Sequence, residues 1–532
     1  MRRLRSFAVL LALMVIALLP LACTSHEATA PSGAGGTQRG SAGAVPVGLE
    51  RFYGQALSWG ACSAFATTPE DKKAYAGPGL QCAYVEVPLD YARPNDRTIK
   101  VGLLRRPASD PAQRIGSLVM NPGGPGASGM SAAANLVDRI KDNELGQRFD
   151  LVGFDPRGVS STQPQVHCLT PPERDAERLM NLGVDTSPAG VARTESQERT
   201  DDAECASRTG IDVLAHVGTR EVARDLDVIR SALGDDKLSY LGYSYGTRIG
   251  TTYAEDFPRT VRAMILDGAV DPAQDPVAEH IDQGRGFQQA FDMFSAWCAG
   301  RADCALGKDT GQSVNAFHTL VLPLITHPAT VSDGRNLSYT DATTGTIQAL
   351  YLPALWIPLN RGLQELAQSH GDILIRLADV YYGRSPDGTY STQTDVLQAV
   401  TCVDDPPITD RNVARKADAQ FRAVAPFLDD GQPPSPALDN CAFWPVPPTS
   451  RPHQPQTPGL STVMVISTTH DPATPYQAGV NLAHELNGRL LTFDGTQHTA
   501  FLHGIDCVDR AGITYLTTLQ PPPEGSRCQA AP

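Results

Sequence analysis

Three residues of this sequence are of the types, and in the chain order, that acyl-transfer chemistry uses: Ser244, Asp471 and His498. A serine hydroxyl is a weak nucleophile until a base takes its proton, and that base must be oriented by a third group. Ser244 lies in LGYSYGTRIG, residues 241–250, with Gly242 and Gly246 two residues to either side. This G-x-S-x-G spacing is that of a nucleophile elbow, where small neighbours let the backbone turn sharply and push the hydroxyl outward. The plain alternative is a tight turn carrying a solvated serine. The flanks favour the elbow, because Lys237 to Leu241 is short and partly apolar like a strand, while Ile249, Tyr253 and Phe257 recur every fourth residue like a helix face.

The partners are sought downstream, as Asp and then His. An apolar run from Thr462 to Ile466 reads as a buried strand and is followed by STTHDPATPY, which sets Asp471 in a loop just past the strand end. Arg489 to Phe493 reads as the next strand, and DGTQHTAF then places His498 in a second loop, with a helix from Tyr476 to Leu486 between them. Taken singly, Asp471 before Pro472 is a turn starter and His498 is one of twelve histidines. The rivals fit less well: His470 shares the Asp471 loop, His484 falls inside a helical pattern, and His503 follows His498 in the same loop. The oxyanion needs backbone N–H donors, one after the nucleophile and one from an earlier strand-end loop. The strand Ser117 to Met120 ends in NPGGPGASG, residues 121–129, so Tyr245 and Gly124 are the expected donors, with Gly123 as the alternative to Gly124. FDLVGFDPRGVSST puts Asp155 to Gly158 after another apolar strand, as a structural turn beside the site. No cofactor or metal is called for, since the triad and two N–H donors supply the chemistry, and no C-x-x-C pair or Cys/His cluster occurs.

The rest of the chain must position these residues. Arg2, Arg3 and Arg5 precede an apolar run from Phe7 to Leu19 and then Leu21-Ala22-Cys23, which reads as an export signal over 1–22. Cys23 is a candidate lipid-bearing residue, although Pro20 stands where an aliphatic residue is usual, so simple secretion stays open. Residues 23–48 are rich in Ser, Gly, Ala and Thr, the composition of a flexible tether. No later segment is long and apolar enough to span a membrane, which leaves a lipid on Cys23 as the one expected membrane link. The balance of 44 basic against 58 acidic residues argues against nucleic-acid partners. Apart from Cys23 the cysteines number ten, an even set that in an exported chain reads as disulfides. Neighbours in sequence suggest Cys62 with Cys82, Cys168 with Cys205, Cys298 with Cys304, Cys402 with Cys441, and Cys507 with Cys528, although spacing alone does not fix connectivity. Between the Ile265 strand and the Thr462 strand lie helical patterns such as Ile281 to Trp297 and Gly362 to Tyr382. A hydrolase sheet needs only a crossover there, so the expected organisation is a core over 49–270, a lid over 271–458, and a second core part over 459–532. Phe287, Phe291 and Phe294 read as lid core rather than substrate pocket.

NPGGPG, FDPRG, GYSYGTRIG, AVTCVDDPP, DPATPY and QHTAF together resemble the secreted tripeptidyl aminopeptidases of actinobacteria, in the proline iminopeptidase branch of the α/β-hydrolases. The likeness runs in order from about Trp59 to Cys507, and departs from the more usual DPRGVGxS at Ser160. It implies an α/β-hydrolase fold with a mostly parallel sheet and a large helical lid. It also implies a serine exopeptidase acting on free peptide or protein N-termini, with Ser244, Asp471 and His498 as its triad. An aminopeptidase must hold a free α-ammonium at a fixed distance from the serine, and a carboxylate supplies the charge complement. Asp404 and Asp405, just after Cys402, are the expected candidates, against the plainer reading of a turn before Pro406. Two other functions remain: an esterase or lipase using the same triad without an ammonium site, and a binding lipoprotein without turnover.

Overall fold

The computed structural model describes residues 37–39 and 45–529. The expected export signal, Cys23 and most of the tether lie outside the described residues.

A nine-stranded sheet forms the frame. In chain order its strands are β1 (Gln81–Pro88), β2 (Thr98–Arg106), β3 (Gly116–Asn121), β4 (Phe149–Phe154), β5 (Leu238–Tyr243), β6 (Val261–Asp267), β7 (Met464–Thr468), β8 (Arg489–Asp494) and β9 (Arg527–Gln529). They lie side by side as β9-β8-β7-β6-β5-β3-β4-β2-β1, parallel from β4 to β9 and antiparallel at the β1 and β2 edge. Every residue of β3, β4, β5 and β7 is buried, as near-continuous apolar runs covered on both faces require. Alternation sends successive side chains to opposite layers: Leu238 and Tyr240 join one core cluster, Leu241 and Tyr243 the other. β7 begins two residues later than the apolar run suggests, because the Thr462 carbonyl leaves the ladder to accept the Tyr515 hydroxyl.

The chain leaves β3 for β4 on one side and later returns to β5 on the other, so the order reverses at β3. In open α/β sheets the crevice at the strands' carboxyl ends beside such a reversal is where ligands bind. Between β6 and β7 the chain builds helices with a hydrophobic cluster of their own, in which Phe287, Phe291 and Phe294 are buried with Phe317, Trp356 and Phe427. The long pattern from Gly362 to Tyr382 is two helices, Trp356–Leu366 and Asp372–Tyr382. Ser369 takes a left-handed φ of 63° between them, and the Gly371 N–H turns away to the Thr330 carbonyl.

Five disulfides join Cys62 to Cys82, Cys168 to Cys205, Cys298 to Cys304, Cys402 to Cys441, and Cys507 to Cys528. The FDPRG turn is held by buried charge. Arg157 gives its guanidinium to both oxygens of Asp225, 2.6 and 2.8 Å away, and to the Pro88, Leu89 and His216 carbonyls. Ser160, where the resembling family has glycine, has a φ of 42°; its N–H donates to Thr392 Oγ1 and its hydroxyl meets that of Thr67.

Candidate active site

Ser244 follows β5 directly and caps α1 (Tyr245–Asp256), with φ 52° and ψ −126°. Glycine on each side is a packing requirement. A Cβ on Gly242 would lie 2.4 Å from the Gly246 carbonyl oxygen, and one on Gly246 would lie 2.7 Å from that of Asn121. The corner is fixed by hydrogen bonds from the Ser244 N–H to the Asp267 carbonyl, and from the Thr247 N–H and hydroxyl to the Ser244 carbonyl.

Asp471 and His498 come from the loops after β7 and β8 and meet in contact. His498 Nδ1 is 2.9 and 3.0 Å from the two Asp471 carboxylate oxygens. Asp471 is itself buried and braced: Oδ1 accepts the Ala473 and Thr474 N–H groups, and Oδ2 accepts that of Thr499. The Tyr351 ring stands edge-on to the imidazole at 5.4 Å, and the His498 N–H donates to the Tyr351 carbonyl. Burial lowers the His498 pKa, but the charge and hydrogen bond of Asp471, aided by Asp267, overcome it, so the value lies above that of an ordinary imidazole. Among the described residues, no rival histidine ring hydrogen-bonds the Asp471 carboxylate. His503 stands near the Tyr243 ring, and burial with the Arg139 charge pushes it down to about 4.

The glycine loop after β3 packs directly on the elbow, for a Cβ on Gly123 would lie 2.8 Å from Ser244 Cβ and 3.0 Å from Tyr245 N. The Gly123 N–H is taken by Asn121 Oδ1, while no described residue accepts the Gly124 N–H. Of the two expected glycines, Gly124 is therefore the one with a donor to give beside that of Tyr245.

Ser244, Tyr245 and Gly124 open into a cavity of about 290 Å³ bounded by α2 (Pro276–Ala299) and α3 (Gln393–Asp404). Asp404 and Asp405 do line it, but each already has partners. Asp404 is fully buried and accepts the Thr219 N–H and hydroxyl, and Asp405 forms a two-pronged ion pair with Arg248 at 2.8 and 2.6 Å. The carboxylate left open is Glu279, on α2. It lines the same cavity, half-buried; its main-chain N–H donates to the Asp275 carbonyl, while its carboxylate has no hydrogen bond or ion pair to any described residue. Burial pushes its pKa up to about 7, with Arg248 pulling the other way. Sequence reading passed over Glu279 because nothing local marks it; its neighbours Arg248 and Asp405 come from distant segments.

The chain matches the model of the α/β hydrolase fold over residues 116–379 and that of TAP-like proteins over 425–528. It is 48% identical over 487 residues to serine protease Hip1 of Mycobacterium tuberculosis, covering 90% of this chain and 92% of that protein. The chain belongs to the TAP-like serine peptidases of the α/β-hydrolase fold. Within this family it is also 47% identical to carboxylesterase B of M. tuberculosis, over 99% of this chain and 98% of that one. Against tripeptidyl aminopeptidase of Streptomyces lividans it is 29% identical, over 87% and 84% of the two chains. The TAP-like segment contains both Asp471 and His498, and the hydrolase segment contains Ser244.

Proposed function

We propose that this chain is an exported serine aminopeptidase that releases short peptides from free N-termini through an acyl-enzyme on Ser244. The observation that carries the reading is Glu279: an unpartnered carboxylate in the cavity that holds the serine. A substrate α-ammonium supplies the missing charge, and its fixed seat limits how many residues reach from it to Ser244.

In this mechanism Ser244 Oγ attacks the scissile carbonyl while His498 takes its proton through Nε2, because Nδ1 is committed to Asp471. The Tyr245 and Gly124 N–H groups receive the oxyanion. His498 then passes the proton to the departing amine, and a water activated by the same imidazole releases the acyl peptide. The five disulfides support an oxidising location. A lipid on Cys23 would hold the enzyme at the envelope, and fatty-acid labelling of the wild type against Cys23→Ala separates that from free secretion.

The esterase alternative is favoured by the name of the 47% identical relative, carboxylesterase B. Free and N-acetylated tripeptide amides, run beside a short acyl ester, separate the two readings. Removing one member of a desolvated charge pair costs roughly 3 to 5 kcal/mol, so acetylation should lower kcat/KM by about 100-fold or more. Glu279→Gln should erase most of that preference and leave the ester rate within about threefold, with Asp404→Asn and Asp405→Asn as comparators. Equal cleavage of free and blocked peptides by the wild type removes the aminopeptidase reading.

A further inference from the structure

Asp267, the last residue of β6, is a fully buried carboxylate that the mechanism above does not use. It touches both halves of the site. Its main-chain carbonyl accepts the Ser244 N–H at 2.9 Å. Its side-chain Oδ2 accepts the N–H groups of Ala500 and Phe501 at 2.8 and 2.7 Å, two and three residues after His498. Oδ1 has no partner. The imidazole packs against the next residue in the chain, since a Cβ on Gly268 would stand 3.0 Å from His498 Cε1.

These bonds fall where the backbone needs holding. Ser244 has a φ of 52° and Thr499 a φ of 64°. For a β-branched residue such as Thr499 the left-handed region is a strained conformation, which persists only when surrounding contacts over-determine it. Asp471 holds the Thr499 N–H from one side at 3.4 Å, and the closer, stronger bonds are those of Asp267 to the two residues that follow. The far end of the loop has separate supports: Tyr243 donates its hydroxyl to the Phe501 carbonyl, Arg139 reaches the Leu502 carbonyl, and Asp509 accepts the Leu502 N–H.

We propose that Asp267 is a positioning residue whose carboxylate oxygen sets the His498 loop against the Ser244 elbow, so that one residue fixes base and nucleophile together. The proposal rests on the reading of Ser244 and His498 as base-assisted nucleophile. Ser244→Ala tests that reading separately: activity surviving this change removes the triad, whatever Asp267 does.

Three substitutions divide acceptor position from charge. Asp267→Asn keeps an oxygen at Oδ2 and loses the charge; Asp267→Glu keeps the charge and moves the oxygen outward by one methylene; Asp267→Ala removes both. The measurement is kcat per site titrated with a fluorophosphonate, alongside KM for a tripeptide amide. A misplacement of about 1 Å in a catalytic group costs on the order of 100-fold. The expected result is a loss of about that size for Ala and at least tenfold for Glu, with Asn within tenfold of wild type and KM within threefold throughout. If Ala does not accumulate folded, the Asn and Glu pair decides. An order in which Asn is not the most active of the variants obtained overturns the proposal, as does an Ala variant within threefold of wild type.

Discussion

Replacing Asp471 by Asn separates orientation of the base from simple packing. Oδ1 of Asp471 accepts two loop N–H groups, from Ala473 and Thr474, both at 2.9 Å. An asparagine keeps those bonds by placing its single oxygen there, which puts its NH₂ at the Oδ2 position, 3.0 Å from His498 Nδ1. Nδ1–H can still reach the retained oxygen at 2.9 Å, but that NH₂ can only donate and so favours the tautomer in which Nδ1 accepts and the imidazole proton sits on Nε2. Ser244 would then face an N–H rather than a lone pair. In the trypsin case the same change lowers kcat by about 10⁴-fold with the geometry intact, equivalent to about 5.4 kcal/mol of transition-state stabilisation. The assay is steady-state hydrolysis of a free tripeptide amide, with the rate of Ser244 phosphonylation as a second readout. Both should fall together while circular dichroism and KM stay near wild type. A folded Asp471→Asn enzyme within tenfold of wild-type kcat would refute the reasoning.

With neutral His498 as the proposed base and its pKa raised, the acid limb of kcat/KM for the short acyl ester, which does not engage Glu279, should lie above the ordinary imidazole value of about 6.5. A limb below that value in the pH profile would contradict the Asp471 pairing. Arg157→Met leaves Asp225 buried without its partner, and breaking such a pair costs about 3 to 5 kcal/mol; urea unfolding at neutral pH should show that loss, and a change under 1 kcal/mol would show that the pair is dispensable. Thiol titration of the denatured, unreduced protein should find none of the ten described cysteines free, and two or more titrating thiols would break the assigned pairing.

The parts of the site readable from sequence are those whose signals are local. Ser244 announces itself through the glycines two residues away, and Asp471 and His498 through the strand ends before them. The strand order, the split at Ser369 and the start of β7 escape such reading because they depend on partners far along the chain: Thr330 for the break and Tyr515 for the strand. The same reason explains Asp404 and Asp405. Two adjacent acids before a proline look available for a ligand, yet Thr219 and Arg248, more than 150 residues upstream, already take them. Asp267 and Glu279 sit in unremarkable local sequence, and only the fold gives each its surroundings.

α3 is fastened at one end three ways: a disulfide from Cys402 to Cys441, the Asp404 bonds to Thr219, and the Asp405 ion pair with Arg248 of the elbow helix. Arg248 lies one helical turn beyond Ser244, so the nucleophile and this wall of the cavity share one rigid piece. The wall thus works as the fixed jaw of a calliper, with Glu279 on the opposing jaw. α2 packs in turn on the Asp471 loop, with Gln283 donating to the Ala473 carbonyl and Gly286 lying against the Pro472 carbonyl, so any resetting of that jaw is felt at the cutting edge as well.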